Sequence, residues 1–170
     1  MDNNSNRSKL EVVAREWLQD RGVTVHDIAD LVYYLQSKYH EDLSMDKCEY
    51  NVNQVLTKRE VQNAILTGIQ LDKLAEQKQL DAPLQKTIEI DESLYGIDEI
   101  IAFSIVNVYG SIGFTNYGYI DKQKPGILKH LNDKSTGECH TFLDDIVGAI
   151  AAAASSRLAH AAADDELFDD

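Results

Sequence analysis

The chemistry this sequence can be expected to do rests on two acidic doublets. Asp98-Glu99 opens the run Asp98-Glu99-Ile100-Ile101-Ala102, and Asp144-Asp145 opens Asp144-Asp145-Ile146-Val147-Gly148. Carboxylates are favoured at helix starts by the free N–H groups and by the positive end of the helix dipole. That accounts for one doublet taken alone. Two doublets, each leading into an uncharged helix, point further. Adjacent helical residues diverge by about 100°, so each doublet can direct one carboxylate to the helix end and the other to a partner. Where the two helix starts converge, these carboxylates share a small space. Like charges that close raise one another's pKa unless a cation neutralises them. Oxygen-only donors select hard divalent cations, Mg²⁺ first and Mn²⁺ next.

Two further acids and one lysine extend this set. Asp72 falls in the middle of the apolar face formed by Val61, Ile65, Gly68 and Ile69. A carboxylate on a core stripe needs a partner: a buried ion pair, a hydrogen bond or a metal. Asp121-Lys122-Gln123-Lys124-Pro125 is a charged run in which Asp121 is a further candidate ligand. Lys124 is a plausible phosphate contact beside an acidic metal site. The five histidines, His26, His40, His130, His140 and His160, lack the spacing that zinc favours. His140, next to the second doublet, is the one placed to carry a proton.

Helices must position these groups, because almost the whole chain has helical periodicity. Residues 8–20 carry Leu10, Val13, Ala14, Trp17 and Leu18 at intervals of three and four. Thr24 with Asp27 starts a second helix, and Ser44 caps a third that reaches Leu56. Thr57 with Glu60 forms a capping box for a long helix to residue 79. Pro83 starts a short helix. Gly96 precedes an apolar helix over 97–109, which Gly110, Gly113 and Gly118 break into a glycine-rich loop. A short helix runs from Pro125 to His130, and Thr141 with Asp144 caps the last helix, over 141–162. No stretch alternates for long between turn signals, so strands are not expected. Residues 146–156 and 100–108 are free of charge on every face, and a helix apolar all round is enclosed by others, so one or both of these are expected at the centre of the bundle. The expected fold is all-α: a bundle around a buried apolar central helix with about five others. One helical domain spans 1–163, followed by an acidic, disordered tail over 164–170.

The net charge of −13 excludes several functions. An acidic body repels nucleic acid phosphates and anionic lipid. The segment 23–31 looks like the opening of a helix-turn-helix, but Val32-Tyr33-Tyr34-Leu35 continues its helical stripe and no basic recognition helix follows. Nucleic acid is therefore not an expected partner. Residues 100–120 are uncharged for long enough to span a bilayer, yet the asparagines, glycines, tyrosines and hydroxyls among them are too polar for a membrane span. The start of the chain is polar and does not read as a signal peptide. Cys48 and Cys139 follow no CxxC spacing. Both are expected to be reduced, in a cytoplasmic protein.

The order Asp98-Glu99, then Asp121-x-x-Lys124-Pro125, then Gly137, then Asp144-Asp145-Ile146-Val147 resembles the phosphatidylglycerophosphatase A family. That family carries a D-E pair, an F-R-x-x-D-x-x-K-P segment and a glycine-rich approach to a D-D-I-V-A-G helix. The likeness covers about residues 94–154, with Gly118 standing where the motif has Arg. The chain as a whole looks like the soluble YutG-like branch of the family, whose fold is a helical bundle around one central helix. The resemblance implies Mg²⁺-dependent hydrolysis of a phosphate monoester, with phosphatidylglycerophosphate as the family substrate.

The expected function is accordingly a metal-dependent phosphatase acting on a phosphorylated small molecule or a phospholipid headgroup. Asp98, Asp144 and Asp145 are its catalytic residues. Asp98, Glu99, Asp144, Asp145, Asp72 and Asp121 are its candidate ligands for Mg²⁺ or Mn²⁺, and Lys124 is its phosphate-binding residue. Contact with a membrane is at most peripheral, and assembly into a homo-oligomer is compatible with this reading. The alternative is a non-enzymatic helical binding or assembly module that keeps the acidic cluster as a structural or regulatory metal site.

Overall fold

A computed structural model describes residues 7–166, and among them it contains nine α-helices and no strand. In chain order these are α1 (Lys9–Asp20), α2 (Val25–Gln36), α3 (Met45–Leu56), α4 (Arg59–Glu76), α5 (Leu84–Glu89), α6 (Ile97–Val106), α7 (Ser111–Gln123), α8 (Ile127–Leu131) and α9 (Leu143–Glu166). The all-α bundle is thus the fold. Of the segment expected to form an acidic tail, 164–166 continue α9 and 167–170 lie outside the described residues.

The first three helices begin where the sequence signals place them. Ser8 accepts the Glu11 N–H, Ser44 accepts the Lys47 N–H, and Thr24 with Asp27 forms a complete capping box. Two other expected caps take different roles. α3 runs directly to Leu56, which leaves Thr57 at its C-terminal end. There the Thr57 hydroxyl donates to the Gln54 carbonyl, and α4 starts after Lys58 without a side-chain cap. Thr141 donates to the Ile88 carbonyl at 2.7 Å, tying the entry of α9 to α5 instead of capping it.

α9 is the centre of the bundle. It packs against α2, α3, α4, α6, α7 and α8, and every residue from Ile146 to Ser156 is buried. Small side chains make this enclosure feasible: Ala149 and Ala151 to Ala154 are inaccessible to solvent. A small residue on the facing helix completes it. A Cβ on Gly68 of α4 would lie 2.3 Å from Ile146 Cδ1 and 2.9 Å from Phe142 Cβ, so α4 can approach only with glycine there.

Of the two uncharged helices, α9 is the one enclosed, and α6 is not. Its inner face, with Ala102, Ile105 and Val106, is buried, but Ile97 and Ile100 are exposed. It lies at the rim of the bundle, where the absence of charge does not enforce burial. The expected glycine-rich loop is also helical. Gly110 ends α6 and its short 3-10 extension, whereas Gly113 and Gly118 lie within α7. Each helical glycine costs about 1 kcal/mol relative to alanine, but Gly113 earns its place through packing. A Cβ there would sit 2.8 Å from Val106 Cγ1 and 3.2 Å from Ser156 Oγ.

Candidate functional site

The starts of α6 and α9 and the end of α7 meet at one end of the bundle. Asp144 and Asp145 occupy the first turn of α9, and Asp98 and Glu99 the first turn of α6. Asp121 lies in the last turn of α7, whose C-cap, Lys124, adopts a left-handed conformation at φ 47°. That turn brings the Lys124 ammonium back to Asp121 Oδ1 at 2.7 Å and Asp144 Oδ2 at 3.2 Å. Asp98, Asp144 and Asp145 are buried. Glu99 is exposed, and Asp121 and Lys124 are partly so, forming the open side of the group.

Asp98 of the first doublet and Asp144 of the second both act on Asp145. Burial pushes the Asp145 carboxyl up to about 9, and the charges of Asp144, Asp98 and Asp121 push in the same direction, while Lys124 opposes them. Asp144 is pushed up to about 6 by burial, with Lys124 opposing. Asp98 is also raised, first by burial, while the Glu99 N–H favours its charged form. Burial works against the charge of Lys124, but Asp144 and Asp121 outweigh it and hold the ammonium above its ordinary pKa. One cation thus serves a group of carboxylates that outnumbers it.

Sequence reasoning did not find three members of this neighbourhood. Asp91, in a left-handed turn between α5 and α6, adds negative charge that raises both Asp98 and Asp144. Asn132, just past α8, favours the charged form of Asp144. Tyr117 of α7 is 4% exposed, and its hydroxyl is buried without a hydrogen-bond partner. Nothing in the spacing of these residues marks them, because each reaches the cluster only through a turn or through the packing of α7 on α9.

Asp72 belongs to the entry of α9. Its two carboxylate oxygens accept the N–H groups of Phe142 and Leu143, both at 3.0 Å. Burial raises its pKa, opposed by these two N–H groups and by Arg21. A carboxylate from α4 therefore caps α9 across the bundle, and both its oxygens already have backbone donors. His140 lies in a neighbouring network. Its Nδ1 is 3.2 Å from the Arg21 guanidinium and its Nε2 is 3.1 Å from Glu138, while Arg21 also pairs with Glu76.

The donor chemistry of the cluster fits a hard divalent cation: aspartate oxygens only, three of the four aspartates buried, with more negative charge than Lys124 can neutralise. Asp98, Asp144, Asp145 and Asp121 are the residues that could hold such an ion. In the arrangement described, the Lys124 ammonium is the cation between Asp121 and Asp144, and no three His, Cys, Asp or Glu side chains among the described residues are set as a ready-made metal cage. Two cavities of about 530 Å³ lie elsewhere. One borders His40, Asp46, Tyr50 and Leu158 towards the far end of α9, and the other borders Gly126, Lys129, His130 and Asp133.

Comparison with known proteins places this geometry in context. Residues 16–160 match the family model described as phosphatidylglycerophosphatase A. The chain is 73% identical over 162 residues to the uncharacterized protein YutG of Bacillus subtilis, covering 95% of this chain and 98% of the relative. A protein of unknown function from Bacillus stearothermophilus has the same fold, with a TM-score of 0.90 and 76% identity over 92% of this chain and 98% of that one. So does the low temperature requirement C protein of Listeria monocytogenes, with a TM-score of 0.91 and 65% identity over 93% and 99% of the two chains. No helix among the described residues is long and apolar enough to cross a membrane.

Proposed function

Because this chain belongs to the phosphatidylglycerophosphatase A family, we propose that it is a divalent-cation-dependent phosphatase acting on a phosphate monoester. The observation that carries the reading is the surplus of buried carboxylate at the convergence of α6, α7 and α9, set against the single ammonium of Lys124. Asp98, Asp144, Asp145 and Asp121 would hold Mg²⁺ or Mn²⁺. When bound, such an ion neutralises phosphoryl oxygens and lowers the pKa of a water molecule.

The remaining chemistry falls to the chain itself. Lys124 stays protonated beside Asp121 and Asp144 and is partly exposed, so its ammonium can turn to a phosphoryl oxygen entering from the open side. Asp144 and Asp121 hold the Lys124 ammonium at the open side of the group. The ester consumed is a phosphorylated small molecule or a phospholipid headgroup. The family points to phosphatidylglycerophosphate, reached through peripheral contact.

The pairing of Lys124 with Asp121 and Asp144 supports a second reading: a non-enzymatic module in which these groups satisfy one another. One assay separates the two. The purified protein with Mg²⁺ or Mn²⁺ is offered phosphatidylglycerophosphate in detergent and a panel of soluble monoesters. Phosphate release that EDTA abolishes supports the phosphatase. No release from any substrate favours the module.

A further inference from the structure

Tyr117 has a hydroxyl that the folded chain leaves without a use. The residue is 4% exposed, yet its Oη finds no hydrogen-bond partner among the described residues. A buried hydroxyl left unpaired costs about 1–3 kcal/mol, and phenylalanine would fill the same space without that cost. Packing alone therefore does not account for tyrosine here. The ring is fixed from two sides. Phe103 of α6 meets it edge-on at 5.4 Å between centroids, and a Cβ on Gly148 of α9 would lie 3.8 Å from its Cε2. Gly148 is one turn beyond Asp145, and Asp145 is the charge that acts most strongly on the phenol, ahead of Asp121, Asp144 and Glu99. The phenol is buried within the field of the acidic cluster with its donor unspent.

We propose that Tyr117 is a positioning residue for Asp145: its hydroxyl donates to the Asp145 carboxylate when the cluster takes up a divalent cation, and so holds that carboxylate towards the ion. This rests on the phosphatase reading of the cluster. A hydrogen bond from outside the ligand set fixes a ligand's orientation, and its loss typically weakens metal binding by about 10–100-fold.

The test is titration calorimetry of the purified full chain with Mn²⁺, in the wild type and in Tyr117→Phe, together with melting temperatures in EDTA. The expected result is Mn²⁺ binding weakened about tenfold or more in the variant, with a metal-free melting temperature at or above that of the wild type. Addition of Mg²⁺ should also produce a tyrosine difference absorption in the wild type that the variant lacks. Equal Mn²⁺ affinity in the two proteins overturns the role of Tyr117 and leaves the metal site standing. A metal-free variant that melts lower overturns it too, since the hydroxyl would then already have a partner. A wild type that binds neither ion overturns the metal-dependent reading itself, and the role of Tyr117 with it.

Discussion

α6 and α9 start from nearly the same sequence and end in opposite surroundings. Each opens with an acidic pair followed by isoleucine, and each then runs without charge for two turns or more. Asp98 and Asp144 correspond, and both are buried. Glu99 and Asp145 correspond, but Glu99 is exposed and Asp145 is 7% exposed. Ile100 and Ile146 also correspond, with exposures of 60% and 0%. The cause is the number of neighbours. α9 is walled in by six helices, whereas α6 lies at the rim. A shared local pattern therefore yields one helix that is core throughout and one that is core on a single face. It also yields a cluster in which three aspartates are shielded from water and the single glutamate faces it.

The contrast between the doublets should be largest in activity. Asp145→Asn and Asp144→Asn each remove a carboxylate from the buried part of the cluster and are expected to lower phosphate release roughly a hundredfold or more. Glu99→Gln, at the exposed corresponding position, should lower it far less. Equal losses at positions 99 and 145 would break the distinction between the two helix starts as far as chemistry is concerned.

Stability gives the next contrast. Ile146→Ala opens a cavity at the centre and should cost about 2–5 kcal/mol in denaturant unfolding. Ile100→Ala changes an exposed face and should stay within about 0.5 kcal/mol. Similar costs at the two positions would mean that α6 is covered in solution.

The two helix starts are also held differently. α6 begins after Gly96 with no side-chain cap, while α9 relies on Asp72 from α4. Asp72→Ala leaves two buried N–H groups without acceptors and is expected to cost at least about 2 kcal/mol. Asp72→Asn keeps one acceptor oxygen and should cost less. If Asp72→Ala unfolds at the wild-type denaturant midpoint, the cross-bundle cap is not what holds the start of α9.

The last contrast is a pH slope. Asp145 titrates at about 9 in the folded chain, against about 4 when unfolded. The folded state therefore keeps a proton that the unfolded state has released. The resulting stability is full below pH about 4 and is lost as pH rises towards about 9. In EDTA, the melting temperature of the wild type relative to Asp145→Asn should fall across that interval. A level difference for Asp145→Asn would show that Asp145 is ionised and compensated even without metal.

Several of these features were legible in the residues themselves. The caps at Thr24 and Ser44 and the uncharged run from Ile146 to Ser156 are local signals, and the chain obeys them. The doublets were legible because a carboxylate pair ahead of an apolar helix is a pattern within five residues. Thr57, Thr141 and Gly113 misled because each has a local signal that a tertiary contact overrides. Thr57 and Thr141 give their hydroxyls to carbonyls, and Gly113 sits inside a helix that must pass close to Val106 and Ser156.

Periodicity and charge thus determined the all-helical class, the central helix and the acidic residues at the two helix starts, since these depend on neighbours along the chain. Only the packing decided which carboxylate stays dry, that Asp72 caps α9 from across the bundle, and that Asp91, Asn132 and Tyr117 complete the surroundings of Asp144 and Asp145. Burial and long-range hydrogen bonds depend on groups 20 to 70 residues away in the chain, and no pattern within a single helix encodes which of them will arrive.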